Sequence, residues 1–173
     1  MINEIVSGRL IMKPFKRADI SDEYLSWLND KKLMRFSQQQ HKTHDYQSSL
    51  AYLETFVGTT NLFLGVFTKD KNILIGTLSS YIDEINQVAD LGILIGHKDA
   101  AGKGFGFEAW SQMISELERN GIRKITGGAM FNNQAMIKIF LRSGMSLECT
   151  RRDHQMYNNK PVDVVYYSKF VFQ

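Results

Sequence analysis

The sequence predicts an α+β fold: one mixed, mostly antiparallel sheet flanked by helices, in the order β-α-α-β-β-β-α-β-α-β-β. Three apolar, strand-like runs at residues 62–67, 73–82 and 88–95 are separated only by short polar turns, which is typical of an antiparallel meander. A long amphipathic segment follows the third run and leads to another strand-like run. Because a helix connects them, these two strands are expected to be parallel neighbours.

Length and composition are those of one globular domain, expected to span residues 1–173, with 43% hydrophobic and 23% charged residues. The net charge of +3 without a basic block argues against nucleic-acid binding. No apolar run reaches the ~20 residues that span a bilayer, and the N-terminus lacks a signal-peptide pattern. The single cysteine, Cys149, excludes an internal disulfide and fits a reducing compartment. We therefore expect a cytoplasmic protein that binds neither membrane nor nucleic acid.

The N-terminal third is predicted to form one strand and two helices, at residues 9–15, 21–28 and 45–57. Asp19 or Ser21 is suited to cap the first helix, because its side-chain oxygen accepts from the free N–H groups of the first turn. Gly58 is expected to end the second helix. The segment between the helices, residues 31–43, is polar and irregular.

The C-terminal half is predicted to hold two helices and three strands. The central helix covers residues 103–120. Its predicted core stripe is formed by Phe107, Trp110, Ile114 and Leu117. Its predicted water-facing stripe is formed by Glu108, Gln112, Glu116 and Arg119. The next helix begins at Asn132 or Asn133 and ends at Gly144. The strands are expected at residues 122–129, 145–152 and 163–172.

The stretch LGILIGHKDAAGKGFGFEAW, residues 91–110, organises the chain. Glycines at 102, 104 and 106 separate a buried strand from the central helix. They leave backbone N–H groups bare, and the positive end of the helix dipole adds to these donors, so the stretch is suited to a pyrophosphate. A tight turn without a ligand would carry the same glycines, so the loop alone does not decide.

Two familiar phosphate-binding loops fit less well. A P-loop requires Ser or Thr after its Gly-Lys pair, whereas Gly104 follows Lys103. Residues 104–109 match the dinucleotide pattern G-x-G-x-x-A, but that motif wants an acid at the end of the next strand, about 20 residues on. Here that strand ends Thr126-Gly127-Gly128-Ala129. A dinucleotide-dependent oxidoreductase therefore stays as a weaker alternative.

Residues 101–106, AGKGFG, resemble the acetyl-coenzyme A loop Q/R-x-x-G-x-G/A of the GNAT superfamily of N-acetyltransferases. Both required glycines match, and Ala101 replaces the usual Arg or Gln. Asn133 and Gly144 match the family's companion N-x-x-S…G-F segment, in which Met136 replaces Ser and Met145 replaces Phe. The segment WLND at residues 27–30 is similar to a subgroup near the ribosomal-protein N-terminal and amino-sugar acetyltransferases.

The resemblance implies direct acetyl transfer from acetyl-coenzyme A to a primary amine, on an amino sugar, another small amine or a protein N-terminus. In this family the strand before the loop splays from the strand after the central helix and pairs with the pantetheine arm. The cofactor contacts so implied are Ile93, Leu94, Ile95, Ala101, Gly102, Lys103, Gly104, Phe105, Gly106, Asn133, Met136 and Phe140. Departures from the pattern at Ala101, Met136 and Phe140 motivate an alternative, a non-catalytic coenzyme A-binding module.

The resemblance makes Asp90 the candidate general base, because members of this subgroup often carry an acid just before the cofactor-pairing stretch. Strand alternation places Asp90 on one face with Gly92 and Leu94. Asp83 and Glu84 are weaker candidates, since acids in turns usually serve the turn itself. Phe140 occupies the position where many relatives carry a tyrosine acid, and it has no proton to give. Cys149 is expected to be a buried, apolar cysteine rather than a nucleophile.

The first helix and the polar loop after it would overhang the thioester in this family, which makes Tyr24, Trp27, Asn29 and Arg35 the candidate substrate contacts. The histidines lack metal-ligand spacing, so no metal is expected. The final strands are candidates for pairing across a homodimer.

Overall fold

The computed structural model describes residues 4–171. The strands are β1 (Ile5–Val6), β2 (Leu10–Pro14), β3 (Leu62–Thr68), β4 (Leu74–Asp83), β5 (Val88–Ile95), β6 (Lys124–Met130), β7 (Ser146–Tyr157) and β8 (Lys160–Phe170). The α-helices are α1 (Asp22–Asn29), α2 (Tyr46–Glu54), α3 (Phe105–Arg119) and α4 (Gln134–Arg142). The predicted order is confirmed, and the short strand β1 is the one strand that the sequence pattern did not indicate.

All eight strands belong to one sheet, in the order β1-β2-β3-β4-β5-β6-β8-β7. The predicted meander of β3, β4 and β5 is antiparallel, and β5 and β6 are the predicted parallel pair. The sheet is thus mixed and mostly antiparallel, as the sequence indicates.

The helix starts follow from local side-chain chemistry. Ser21 caps α1 by accepting from the Tyr24 N–H at 3.2 Å, and Asp45 caps α2 by accepting from the Ser48 N–H at 2.8 Å. Asn133 caps α4. The alternative cap Asp19 instead accepts from the Lys16 N–H within a short 3-10 turn.

Two hydrophobic clusters cover the two faces of the sheet. Under α3 and α4 the largest fully buried side chains include Trp110 and Phe140. On the opposite face α1 and α2 bury Tyr24 and Trp27. Leu94 packs with this second cluster, whereas Ile93 and Ile95 pack with the first, so the predicted alternation along β5 is confirmed.

The buried stripe of α3 differs from the predicted stripe at two points. Ala109 and Met113 belong to it, whereas Phe107 is only half-buried beneath the Arg142 guanidinium, 3.9 Å from the ring centre. Glu108 does not simply face water, because it accepts hydrogen bonds from Ser7 and Arg9. The periodicity of a helix shows which face is buried but not which chain segments pack along its edges.

The C-terminal strands are longer than predicted, and β7 is an edge strand exposed over most of its length. Cys149 lies on β7 and is exposed, so the expectation of a buried cysteine is wrong, because β7 is the edge strand of the sheet. Phe172, the predicted end of the last strand, lies outside the described residues. Within residues 4–171, no helix has the length and apolarity to cross a membrane.

Candidate active site

The strands β5 and β6 separate soon after they meet. Their parallel register covers only three pairs, from Val88 with Lys124 to Asp90 with Thr126. Beyond Asp90, β5 continues to Ile95 with β4 alone as a described neighbour. The sequence-based expectation of a splay at this point agrees with the register.

The open edge of β5 presents backbone donors. The Gly96 N–H donates to the Ile75 carbonyl at 2.9 Å, which fixes the phase of the β4–β5 ladder. Alternation along an antiparallel strand then points the backbone of Leu94 toward β4 and that of Ile93 and Ile95 into the gap. These N–H and C=O groups are free to pair with an extended chain that enters the gap.

The glycine loop lies at the end of this edge. Gly102 and Gly104 have φ values of +72° and +79°, in the left-handed region that favours glycine, and Gly104 is the N-cap residue of α3. No side chain caps α3, so its first N–H groups, from Phe105 to Phe107, have no partner within the helix. Ala101 and Lys103 are exposed on the same loop. Uncapped N–H groups at a helix N-terminus suit a phosphate.

Arg9 is a loop neighbour that the sequence reading missed. Its guanidinium donates to the Lys103 carbonyl at 3.0 Å and to Glu108 Oε2 at 2.7 Å, and it lies over the Phe105 ring. Arg9 is 94 residues from Lys103 and 99 from Glu108 along the chain, so no local sequence pattern indicates these contacts. A cleft of about 700 Å³ adjoins the loop here, and it is lined by five basic side chains, Arg9, Lys69, Lys71, His97 and Lys103, and by Asp70 and Asp99 among others.

Helix α4 begins beside the open gap. Asn133 accepts from the Met136 N–H at 3.3 Å, so its side chain is engaged in capping. Met136 is half-buried against the core, and Gly106 lies between Ile95 and Ile139 of α4. Phe140 is fully buried, stacked on Tyr167 with ring centres 5.0 Å apart. The structure therefore places Phe140 in the core beneath α4 rather than at the open gap.

A second cavity of about 380 Å³, the acceptor cavity, opens on the other face of the sheet. Its floor is β5 at Gly92, Ile93 and Leu94, the same stretch that borders the gap. Its polar walls come from α2, β4 and the loop before α2, and they are formed by Ser37, Gln39, Lys42, Thr43, His44, Ser48, Ser49, Tyr52, Thr77 and Ser79. Among the described residues, no Asp or Glu lines this cavity.

Of the four predicted substrate contacts, the structure brings only Tyr24 to this cavity. Trp27 is buried beneath α1, where its ring fills the space over Gly96. The Asn29 side chain makes two hydrogen bonds, of 2.8 and 2.9 Å, to the backbone C=O and N–H of His44. Arg35 is exposed over the Phe36 ring. Trp27 and Asn29 thus position the walls rather than form them.

Asp90 lies where the β5–β6 pairing ends. Thr126 Oγ1 donates to its carboxylate at 2.6 Å. Surrounding protein raises the pKa of the Asp90 carboxyl above its ordinary value, because desolvation disfavours the charged form, and the Thr126 hydrogen bond opposes this rise. The carboxyl still reaches solvent. A base at this point is accessible, and its raised pKa makes it a stronger base than an ordinary carboxylate.

Residues 9–146 match the acetyltransferase (GNAT) domain family. No curated protein sequence matches the chain significantly. Within the part of the chain that is described, no group of three or more His, Cys, Asp or Glu side chains is arranged to hold a metal ion.

Solved structures share the fold. RimL, a ribosomal L7/L12 alpha-N-protein acetyltransferase in complex with coenzyme A, superposes with a TM-score of 0.86 at 19% identity over 98% of each chain. MccE, a microcin C7 self immunity acetyltransferase in complex with acetyl-CoA and AMP, gives 0.81 at 20% identity over 95% of this chain and 94% of that chain. A Salmonella typhimurium enzyme that modifies the N-terminal serine of L7/L12 gives 0.82 at 18% identity over 98% and 100%.

Proposed function

Because the chain belongs to the GNAT family of acetyltransferases, we propose that it moves the acetyl group of acetyl-coenzyme A directly to a primary amine in the acceptor cavity. One observation carries the proposal: the acceptor cavity and the open edge of β5 meet at Ile93 and its two neighbours. A thioester held along that edge would face an amine held in the cavity. Such placement supplies much of the rate of a two-substrate reaction.

The cofactor is acetyl-coenzyme A, which supplies an activated acetyl thioester when bound. The residues present fit it. Ile93, Leu94 and Ile95 would border the pantetheine arm, and residues 101–106 would hold the pyrophosphate. No heavy atom lies within 4 Å of the position of a Cβ at Gly102, and Asn132 Oδ1, before α4, is buried without a partner among the described residues. Asn133 and Met136 would flank the cofactor, with Phe140 supporting them from the core.

Two groups of the chain are suited to the chemistry. Asp90 is the proposed general base, which takes a proton from the attacking amine. The Ile93 N–H, directed into the gap, is the proposed donor to the oxygen on which negative charge develops. Phe140 carries no ionisable proton and lies in the core, so it supplies no general acid.

The lining of the cavity favours a particular kind of acceptor. Its polar groups are mostly hydroxyls, together with the Gln39 amide, and Lys42 and His44 also line it. A polycation would meet no carboxylate there, whereas an amine that carries hydroxyl or amide groups finds hydrogen-bond partners. We therefore propose an amino sugar or a peptide N-terminus, rather than a polyamine.

The test is thiol release from acetyl-coenzyme A with glucosamine, a serine-initiated peptide and spermidine as acceptors. We expect turnover with the first or second and little with spermidine. Tight coenzyme A binding without turnover on any amine would favour the alternative, a non-catalytic coenzyme A-binding module. Turnover with spermidine alone would contradict the assignment of the acceptor class and leave acetyl transfer intact.

The exposed edge strand β7 motivates a further proposal, self-association through the C-terminal strands. The exposed Cys149 thiol motivates another, action in the reducing cytoplasm, where a free thiol would persist. Sedimentation equilibrium tests the first: a purely monomeric protein at micromolar concentration would contradict it.

A further inference from the structure

Two tyrosine hydroxyls connect the acceptor cavity to the protein surface. Tyr52, on α2, lines the cavity, and its hydroxyl lies 2.8 Å from that of Tyr81 on β4. Tyr81 does not line the cavity and is 44% exposed. Tyr52 is itself 37% exposed, so the pair joins a hydroxyl that lines the cavity to one that lies outside it.

The cavity end of this pair lies close to the proposed site of reaction. Ser79 also lines the cavity, and its side chain opposes the rise in the pKa of the Tyr52 hydroxyl. Ser79 Oγ lies only 2.9 Å from the position that a Cβ at Gly92 would take. A row of three hydroxyls thus leads from Ser79, beside Gly92 on the floor of the cavity, past Tyr52 to Tyr81.

Aromatic packing fixes both rings. Tyr52 meets Phe56 and Phe63 edge-on, each at 5.2 Å between ring centres, and Tyr81 lies 5.6 Å from Phe56. This packing restricts the rotation of both side chains and therefore keeps the two hydroxyls within hydrogen-bond distance.

We infer that Tyr52 and Tyr81 form a proton relay that carries a proton from the acceptor amine out of the cavity to solvent. The inference rests on the proposed acetyl transfer. An amine that enters as ammonium sheds two protons before it becomes an amide. Asp90 is assigned to the proton lost during attack, and the relay to the proton shed beforehand.

The relay step balances without a change of charge on either tyrosine. The ammonium proton passes to the Tyr52 oxygen, the Tyr52 hydroxyl proton passes to the Tyr81 oxygen, and the Tyr81 hydroxyl proton passes to water. Both hydroxyls must stay neutral for this. Burial raises the pKa of Tyr52 well above its usual value, and Tyr81 adds to the rise, so Tyr52 is un-ionised at working pH.

Other titratable groups face the same cavity. Tyr24 lies across it on α1, and burial raises its pKa to about 12. Lys42 and His44 enter from the loop, and His44 Nε2 is 3.1 Å from the Gln39 carbonyl. Asp90 is the cross-strand neighbour of Tyr81. The experiment must therefore separate the relay from these groups.

The variants Tyr52→Phe and Tyr81→Phe each remove one hydroxyl and keep the ring. Without the relay, only amine that arrives already neutral reacts, and an alkylamine has a pKa of about 10.4. We expect kcat/KM to fall roughly tenfold to hundredfold at pH 7 and the deficit to close toward pH 10. The fall in activity at low pH, where the Asp90 carboxylate becomes protonated, should remain in both variants.

Tyr46→Phe is the matched control, because Tyr46 begins the same helix, is 41% exposed and does not line the cavity. It should behave as wild type. A deficit in the two relay variants that is constant with pH, or no deficit, would overturn the relay and leave acetyl transfer standing. If the wild type releases no thiol with any amine, the proposed function fails and the relay fails with it.

A second measurement needs no turnover. In the protein without cofactor, the hydrogen-bonded hydroxyl proton should give a slowly exchanging NMR resonance at low temperature. Tyr52→Phe and Tyr81→Phe should each abolish it, and Tyr46→Phe should keep it. Its absence from the wild type would contradict the relay.

Discussion

Two opposing effects set the pKa of the Asp90 carboxyl. Desolvation raises the pKa of its carboxyl, and the hydrogen bond from Thr126 acts against this rise. A base must be ionised to accept a proton, so the raised pKa means that activity falls as the pH drops through it.

For Asp90→Asn we expect kcat to fall about 100-fold, because an amide accepts no proton from the amine. Over the range in which the wild-type carboxyl is ionised, the deficit should be greatest at the lowest pH, where the amine is hardest to deprotonate. A pH–rate series of both proteins measures it. Parallel profiles would remove Asp90 from the mechanism.

Thr126→Val removes the hydrogen bond that favours the ionised carboxylate. The pKa of Asp90 should then rise further, which moves the acid limb of kcat/KM to higher pH. Thr126→Ser keeps a hydroxyl and is the control. A limb that stays in place in Thr126→Val would show that a different group titrates.

Gly104→Val tests the loop. A branched side chain at φ +79° is strained and would also occupy the proposed pyrophosphate path, so coenzyme A binding should be lost in calorimetry. Gly58→Val is the matched control, because Gly58 has φ +73°, lies away from the loop and, apart from its chain neighbours, has no heavy atom of residues 4–171 within 4 Å of its Cβ position. It should lose comparable stability but keep its affinity. Unchanged affinity in Gly104→Val would count against the loop assignment.

At the scale of elements, the β7–β8 hairpin supports the acceptor side. Tyr157, the last residue of β7, stacks on Phe36 with ring centres 5.4 Å apart. Phe36 lies between Met34 and Ser37, which both line the cavity. The hairpin therefore holds the loop that forms one cavity wall.

Tyr157→Ala should raise KM for the amine about two- to tenfold, which corresponds to the loss of one aromatic pair. The affinity for coenzyme A should not change, since the glycine loop lies elsewhere. Tyr157→Phe keeps the ring and should match the wild type. A change in coenzyme affinity instead would show that the hairpin acts on a different part of the site.

The elements differ in how far sequence reveals them. Ser21, Asp45 and Asn133 act through neighbours three residues away, so their capping roles are readable from local order. The cavity walls are not. Ser49 and Tyr52 from α2 meet Ser79 from β4 only after the helix packs on the sheet. Hydroxyl residues on a half-buried helix leave no periodic pattern that distinguishes a site from a surface.

Whole-molecule behaviour should reflect the cofactor. A ligand that binds only the folded state at 100 times its Kd stabilises it by about 2.7 kcal/mol. For a chain of this size, coenzyme A should raise Tm by roughly 5–10 °C, and NAD should not. Differential scanning calorimetry measures both. A shift with NAD alone would revive the dinucleotide interpretation.

The contact between β5 and β6, three residue pairs long, also has a mechanical consequence. The strands β1 to β5 on one side and β6 to β8 on the other share little sheet bonding, so we expect the angle between the two parts to change more easily than the angles within each part. A guest in the gap would supply the missing bonds and stiffen that hinge. Amide exchange of Ile93 and Ile95 should then slow on coenzyme A binding, far more than exchange in the β3–β4 ladder.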